Sequence, residues 1–163
     1  MNSRPAWLPE KVVIRGTWNE ICSMLYDIFK HDFIENHPMM RNVPVWHDKR
    51  KDAEGKYEEV FWHLTHRENR FTGEREFHVE RSRKLPWCSP VLNNSEDSSV
   101  CVWDYVHGRR VRTYLWLHEL DYVVIVEKRT VRSAQVAWLV TAYHVDGDRT
   151  RRSLIRKYEK RVL

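Results

Sequence analysis

Residues 100–145 read VCVWDYVHGRRVRTYLWLHELDYVVIVEKRTVRSAQVAWLVTAYHV, and this stretch decides the fold. It holds four segments rich in β-branched and aromatic residues, which favour strands: 100–106, 111–118, 122–127 and 136–145. The connections between them are too short for crossover helices, so neighbouring strands are expected to pair antiparallel. The first connection, His107-Gly108-Arg109, is a hairpin signal. The sequence therefore predicts an antiparallel meander of four strands or slightly more.

A helix is predicted ahead of this sheet, over 18–34. Thr17 and Glu20 match the capping box, in which each side chain bonds the backbone N–H of the other residue. The apolar residues behind them recur at helical spacing. They are Trp18, Ile21, Cys22, Leu25, Ile28, Phe29 and Phe33. The helix is expected to end before Pro38, and the lead over 1–16 is expected to be irregular.

The middle of the chain is less regular. Its expected elements are a short edge strand over 43–47, a charged loop over 48–56, a strand over 57–65 and a helix over 77–84. Pro44 favours an edge position because proline cannot donate to a central ladder. Alternation over the second strand puts His63 and Thr65 on one face. Helices followed by a meander and a last helix indicate an α+β class, in one domain over 1–163.

The positive charge is concentrated at the end of the chain. The sequence has 28 Lys and Arg against 23 Asp and Glu, a net charge of +5. Residues 149–163 account for the whole excess and are expected to form an amphipathic helix with a basic stripe. The stripe consists of Arg149, Arg152, Arg156 and Lys160. Two interpretations stay open, a solvated terminal helix with cations near its C-terminal end and a surface that binds phosphates.

Several locations are disfavoured by composition. The sequence has no run of 18 apolar residues, so no membrane span is expected. The N-terminus lacks the apolar region of a secretory signal. The cysteines at 22, 88 and 101 are too far apart to suggest a zinc site or a disulfide framework. A reducing, cytoplasmic setting is expected.

Metal and cofactor chemistry finds little support in the motifs. The five glycines leave almost no room for a phosphate-binding glycine-rich loop, and no His-Glu-x-x-His or Cys-x-x-Cys occurs. Asp121, Glu127 and Lys128 suit a magnesium-dependent nuclease in type but not in spacing. The cysteines lie in apolar runs, which favours inert thiols over nucleophiles. No metal or cofactor is therefore expected.

A set of metal-free catalytic groups remains. They are His63, Thr65, Arg81, Arg83, Lys84, Thr141 and Tyr143. RNA supplies its own nucleophile, the 2′-OH, so cleavage needs proton-transfer groups and a cation to stabilise the phosphorane. Histidine transfers protons near neutral pH, and arginine offers a bidentate fork to phosphate. The competing interpretation is that each side chain merely bonds its neighbours.

The order of these segments resembles the barnase–EndoU–colicin–RelE-like superfamily of metal-independent ribonucleases, and within it the small toxin-like proteins of prophages and mobile elements. The segments are 61–65 (FWHLT), 81–87 (RSRKLPW) and 139–143 (LVTAY), followed by the basic end of the chain. The resemblance implies helices packed on an antiparallel sheet whose open face cuts RNA. It also implies a cyclic phosphate product and a neutralising partner protein, an antitoxin.

Matched residue by residue, the resemblance implies catalytic roles for His63, Arg81, Thr141 and Tyr143. The side chains expected to bind RNA or its phosphates are Thr65, Arg83, Lys84, Arg149, Arg152, Arg156 and Lys160. The expected function is a toxin-type endoribonuclease that acts on RNA without a metal. Two alternatives stay open, a non-catalytic RNA-binding or adaptor domain on the same fold, and a structural protein such as an assembly factor.

Overall fold

The computed structural model describes residues 4–163 and shows helices packed on a mixed β-sheet, an α+β fold. Its helices are α1 (Trp18–Phe29), α2 (Glu59–Thr65), α3 (Val79–Arg83), α4 (Cys88–Asn93) and α5 (Gly147–Glu159). Its strands are β1 (Met39–Met40), β2 (Val43–Trp46), β3 (His66–Glu68), β4 (Arg75–Phe77), β5 (Cys101–His107), β6 (Arg110–Leu117), β7 (Tyr122–Val131) and β8 (Ala134–His144). The first three residues of the predicted lead lie outside this range.

The predicted first helix is confirmed. The Thr17 hydroxyl accepts a hydrogen bond of 3.2 Å from the Glu20 N–H at the start of α1. Beyond α1 the chain continues as a π-helical segment, Lys30–Glu35. Phe29 and Phe33 are buried on the side that faces the sheet. Between residue 4 and α1 the described chain has no helix or strand, in agreement with the predicted lead.

The sheet is larger than the predicted meander and is not wholly antiparallel. Its strand order is β1-β2-β8-β7-β6-β5. The four predicted strands form the antiparallel part, β5 to β8, but β2 pairs with β8 in parallel. The expected edge strand is therefore not at the edge, since the two-residue β1 lies outside it.

The two faces of the sheet have different covers. Helices α1, α2 and α4 pack on the first face, which supplies Leu115, Val124 and Leu139 to the main core. On the second face, α5 inserts Leu154 among Trp103, Tyr114 and other apolar side chains. Only the part of this face near β5 and β6 contacts α5 closely, and the rest contributes to a cleft described below.

The predicted strand over 57–65 is wrong, because this segment contains α2. Val60, Phe61 and Leu64 are buried at helical spacing, and the short apolar run satisfies both a helical and a strand pattern. The error separates two candidate residues, since His63 is exposed and Thr65 is buried. The predicted helix over 77–84 is also shorter than expected, with Phe77 in the small antiparallel pair β3–β4.

No helix in the described part of the chain is both long enough and apolar enough to cross a membrane.

The last helix, α5, begins at Gly147 and ends at Glu159. The helix expected over 149–163 therefore starts two residues too late and ends four residues too late.

Candidate functional site

A cleft of about 630 Å³ opens between α2, the loop after β2 and the uncovered part of the second sheet face. Polar and charged side chains dominate its lining. They are Asp48, Arg50, Lys51, Glu59, His63, Arg75, Arg112, Glu127 and Arg129, together with Val60, Trp138, Leu139 and Val140. The five arginine and lysine side chains outnumber the three carboxylates, so the cleft is suited to an anionic ligand.

One row of side chains crosses the sheet at the floor of this cleft. Strand pairing places Trp46 of β2 beside Trp138 of β8, Trp138 beside Glu127 of β7, and Glu127 beside Arg112 of β6. Residues that are paired in register point to the same face of a sheet. The neighbouring residues on the strands, such as Val45 and Val126, point to the main core instead. Alternation along four strands therefore builds this row.

Glu127 organises the cationic floor. Its carboxylate is almost fully buried, with 5% of the side chain exposed, and lies 2.7 Å from an Nη of Arg129. The Nε atoms of Arg110 and Arg112 lie 3.7 Å from it. The buried Nε–H of Arg112 has no hydrogen-bond partner among the described residues. Three guanidinium groups thus share one carboxylate, which leaves N–H groups free to bind a ligand oxygen.

The opposite wall carries paired arginines. Arg50 contacts Asp48 at 2.6 Å, and Arg75 contacts Glu59 at 2.7 Å. Each carboxylate fixes the position of its arginine near the mouth of the cleft. Within residues 4–163, no group of three His, Cys, Asp or Glu side chains is arranged to hold a metal ion.

His63 projects from α2 into this cleft. The residue is accessible to solvent, but partial burial of the ring lowers its pKa, and the nearby positive charge of Arg75 lowers it further. The imidazole is therefore neutral at pH 7 and able to accept a proton.

The three segments singled out by sequence do meet, but they meet at a backbone atom. The carbonyl of His63 accepts hydrogen bonds from Thr141 Oγ1, at 3.3 Å, and from an Nη of Arg81, at 2.9 Å. The same Nη also bonds the carbonyl of His66. Arg81 and Thr141 thus hold the C-terminal end of α2 against β8, which fixes the position of His63.

Arg81 is half-buried, and its guanidinium lies 5.5 Å from the ring centre of Tyr143. Burial lowers the pKa of Arg81 to about 10 and raises the pKa of Tyr143 to about 12. At neutral pH a charged guanidinium therefore lies against a neutral phenol, which fits a positioning role better than direct proton transfer.

Thr65, Arg83 and Lys84 are not brought to the cleft. The Thr65 hydroxyl is buried and donates to the carbonyl of Phe61, as helical threonines often do. Lys84 is also buried, and its ammonium group donates to the carbonyls of Leu120 and Asp121, while burial lowers its pKa to about 8. Arg83 pairs with Glu80. All three therefore have partners within the fold, which is a physical reason against the phosphate-binding roles that the sequence suggested for them.

The predicted basic stripe is exposed. Its members Arg149, Arg152 and Arg156 lie on α5, and Lys160 directly follows the helix. Burial lowers the pKa of Lys157 on α5, and the charges of Arg156 and Arg112 lower it further.

The sequence reasoning missed most of the side chains that line the cleft. The charged and aromatic strand residues that it did not single out are Arg112, Arg129 and Trp138, and it considered Glu127 only for a magnesium site. A signal was present in the spacing, because charged residues two apart interrupt β6 and β7, which are otherwise apolar. A charged residue at every second strand position indicates a polar patch on one face.

His66 gives a prediction about stability in acid. Its ring packs edge-on against Trp18, Trp62 and Phe77, and burial, with help from Arg75 and Arg81, lowers its pKa from 6.5 to about 4. Between these pH values the unfolded chain binds a proton that the folded chain does not. Stability is therefore full above pH 6.5 and is lost as the pH falls toward 4.

The free energy of unfolding of His66→Phe should fall less steeply with decreasing pH over this interval than that of the unsubstituted protein. The difference in slope should correspond to the uptake of one proton on unfolding. Urea unfolding at several pH values between 4 and 7 measures the difference. His47, whose pKa burial also lowers, remains in both proteins, so both still lose stability in acid. Parallel curves for the two proteins would show that His66 does not contribute.

Comparison of this chain with protein-family models, with curated proteins and with solved structures found no match. What the cleft can do is therefore inferred from its geometry, its charge and the neutral imidazole in its wall.

Proposed function

We propose that the protein is a metal-independent endoribonuclease that cleaves RNA in this cleft. The observation that supports the proposal most directly is the placement of His63 in the wall of a cleft whose floor carries Arg112 and Arg129 beside one buried carboxylate. A proton acceptor beside clustered guanidinium groups is the arrangement that phosphodiester cleavage by an internal hydroxyl requires.

In the proposed reaction, His63 accepts the proton of the RNA 2′-OH while the 2′-oxygen attacks phosphorus. A new bond forms between the 2′-oxygen and phosphorus, and the bond from phosphorus to the 5′-oxygen breaks. The products are a 2′,3′-cyclic phosphate and a 5′-hydroxyl, which takes its proton from water that enters the open cleft. Arg112 and Arg129 stabilise the charge that develops on the phosphoryl oxygens.

The other sequence candidates take supporting parts in this proposal. Arg81 and Thr141 act as positioning residues, because both bond the backbone carbonyl of His63. The ring of Tyr143 packs against the guanidinium of Arg81 and helps to hold it in place. The cations of α5 extend the path along which the RNA backbone binds. Arg83, Lys84 and Thr65 have no direct part.

A toxin-type role and cytoplasmic action belong to the same proposal. An inhibitor of such a site would be an acidic protein, an antitoxin that covers the cationic cleft. The charge balance of the lining, five cations against three carboxylates, provides the complementary surface.

A non-catalytic RNA-binding domain is the second candidate. It is favoured by one observation, that His63 is the only histidine that lines the cleft among the described residues. A mechanism in which one group accepts a proton and another donates one to the leaving group would use a second histidine. The cationic floor and α5 would then bind RNA without cutting it.

The test is incubation of the purified protein with labelled RNA in excess EDTA. We expect cleavage to continue in EDTA and to yield ends with a 2′,3′-cyclic phosphate, detected by mass spectrometry. RNA with 2′-O-methyl groups should bind but remain intact, because the nucleophile is blocked. Binding of both RNAs without cleavage would establish the second candidate, and cleavage only with added metal would contradict the mechanism.

A further inference from the structure

The row that crosses the cleft floor reaches Trp138, and Trp46 continues it on the neighbouring strand, beside the cleft lining. They are direct neighbours across the parallel pairing of β2 and β8 and lie on the same face of the sheet. Trp46 is 45% exposed, whereas Val45 beside it is buried in the main core. Single exposed apolar side chains are ordinary, but two adjacent indoles at the end of a cationic cleft form an arranged surface.

The chemistry around the two indoles selects for a ligand with a flat ring and a negative charge. The guanidinium of Arg129 already lies over the ring of Trp138, 4.3 Å from its centre. The same arginine bonds Glu127, so its position is fixed from two sides. A nucleotide matches this arrangement because its base can stack on an indole while its phosphate meets the arginines.

We infer that Trp46 and Trp138 form a stacking subsite for an unpaired base of single-stranded RNA, next to the phosphate site of the cleft. This inference rests on the proposed function and adds the substrate class to it. A base can lie on an exposed indole only when it is free of its own helix, so the subsite excludes duplex RNA. Stacking accepts every base, so we expect little sequence preference from this subsite.

A second proposal about these indoles would be a protein-binding patch. The surroundings favour RNA, because the pair adjoins a cleft in which five arginine and lysine side chains outnumber three carboxylates, as a phosphate backbone requires.

The inference is tested by binding rather than by activity. The probes are a short fluorescein-labelled 2′-O-methyl RNA strand, which cannot be cleaved by its own hydroxyl, and the same strand with abasic sites in place of its bases. Fluorescence anisotropy gives the affinity of each. The variant is Trp46→Leu, and the control is Trp18→Leu, which removes an indole of similar exposure, 48%, that packs against His66 and Phe77 and not beside Trp138.

We expect Trp46→Leu to bind the complete strand about 10-fold more weakly or worse, the usual effect of losing one base stack. It should bind the abasic strand as the unsubstituted protein does, and Trp18→Leu should leave both affinities unchanged. Thermal unfolding shows whether each variant is folded, and Trp46→Phe, which keeps an aromatic face, should restore most of the affinity.

Equal affinity of Trp46→Leu and the unsubstituted protein for the complete strand would overturn the subsite, whether or not the protein cleaves RNA. Loss of affinity that is the same for the abasic strand would overturn it as well, because the effect would not depend on bases. Base-dependent binding through Trp46 in a protein that never cleaves RNA would support the subsite and remove the ribonuclease proposal, so the two can fail separately.

Discussion

Substitution of His63 by glutamine is expected to lower the rate of RNA cleavage by about 10²- to 10⁴-fold, the contribution of one general base. Glutamine keeps the size and polarity of the side chain but cannot accept a proton at neutral pH. The backbone carbonyl that Arg81 and Thr141 hold is unchanged, so the fold around α2 should persist. Single-turnover cleavage of labelled RNA measures the loss.

The pH dependence gives an independent check. Because burial and Arg75 lower the pKa of His63, the rate should rise with pH below neutrality and reach a plateau by pH 7. This rise should vanish in His63→Gln. His37→Gln serves as the control, since His37 is an exposed histidine outside the cleft lining. If His63→Gln retained the full rate with the same pH profile, the assignment of His63 would be wrong.

Substitution of Glu127 by glutamine is expected to lower the free energy of unfolding by about 2–3 kcal/mol, because it leaves three guanidinium groups without their shared buried carboxylate. The estimate lies below that for a fully buried pair, since the arginines keep some contact with water. Urea unfolding at neutral pH measures the change.

Glu59→Gln provides a matched control on the opposite wall. It removes the same charge from an ion pair with Arg75, in which 42% of the Arg75 side chain and 34% of the Glu59 side chain are exposed. The free energy of unfolding should therefore fall by less than about 1 kcal/mol. Equal losses from the two substitutions would show that burial of Glu127 does not matter. A large loss at Glu127 alone supports its role as the organiser of the cleft floor.

The sheet was predictable from sequence because its strands are long and strongly patterned. The alternating segments over 100–145 gave β5 to β8 and their antiparallel pairing. The parallel contact of β2 with β8 was not predictable, because it pairs Val45 with Ala137, two residues that are far apart in the sequence. The sequence carries no local signal for such a contact.

The candidate site was predictable only in part, for a similar reason. His63 was found through its residue type, although in a segment expected to be a strand. Arg112 was missed because the family resemblance favoured other basic residues, and Glu127 was considered only for a magnesium site. Lys84 looked like a phosphate ligand because a sequence gives no sign that an ammonium group is buried against backbone carbonyls.

The parallel pairing of β2 with β8 also has a consequence for how the molecule assembles. The antiparallel hairpins of β5 to β8 join residues that are close in the chain, whereas β2 must find a partner at the other end, which closes a long loop at a cost in entropy. The meander is therefore expected to gain protection from hydrogen exchange first, and β2 last. Since α2 and the loop after β2 complete the cleft, we expect the protein to acquire its capacity to bind a ligand only in the final step of folding.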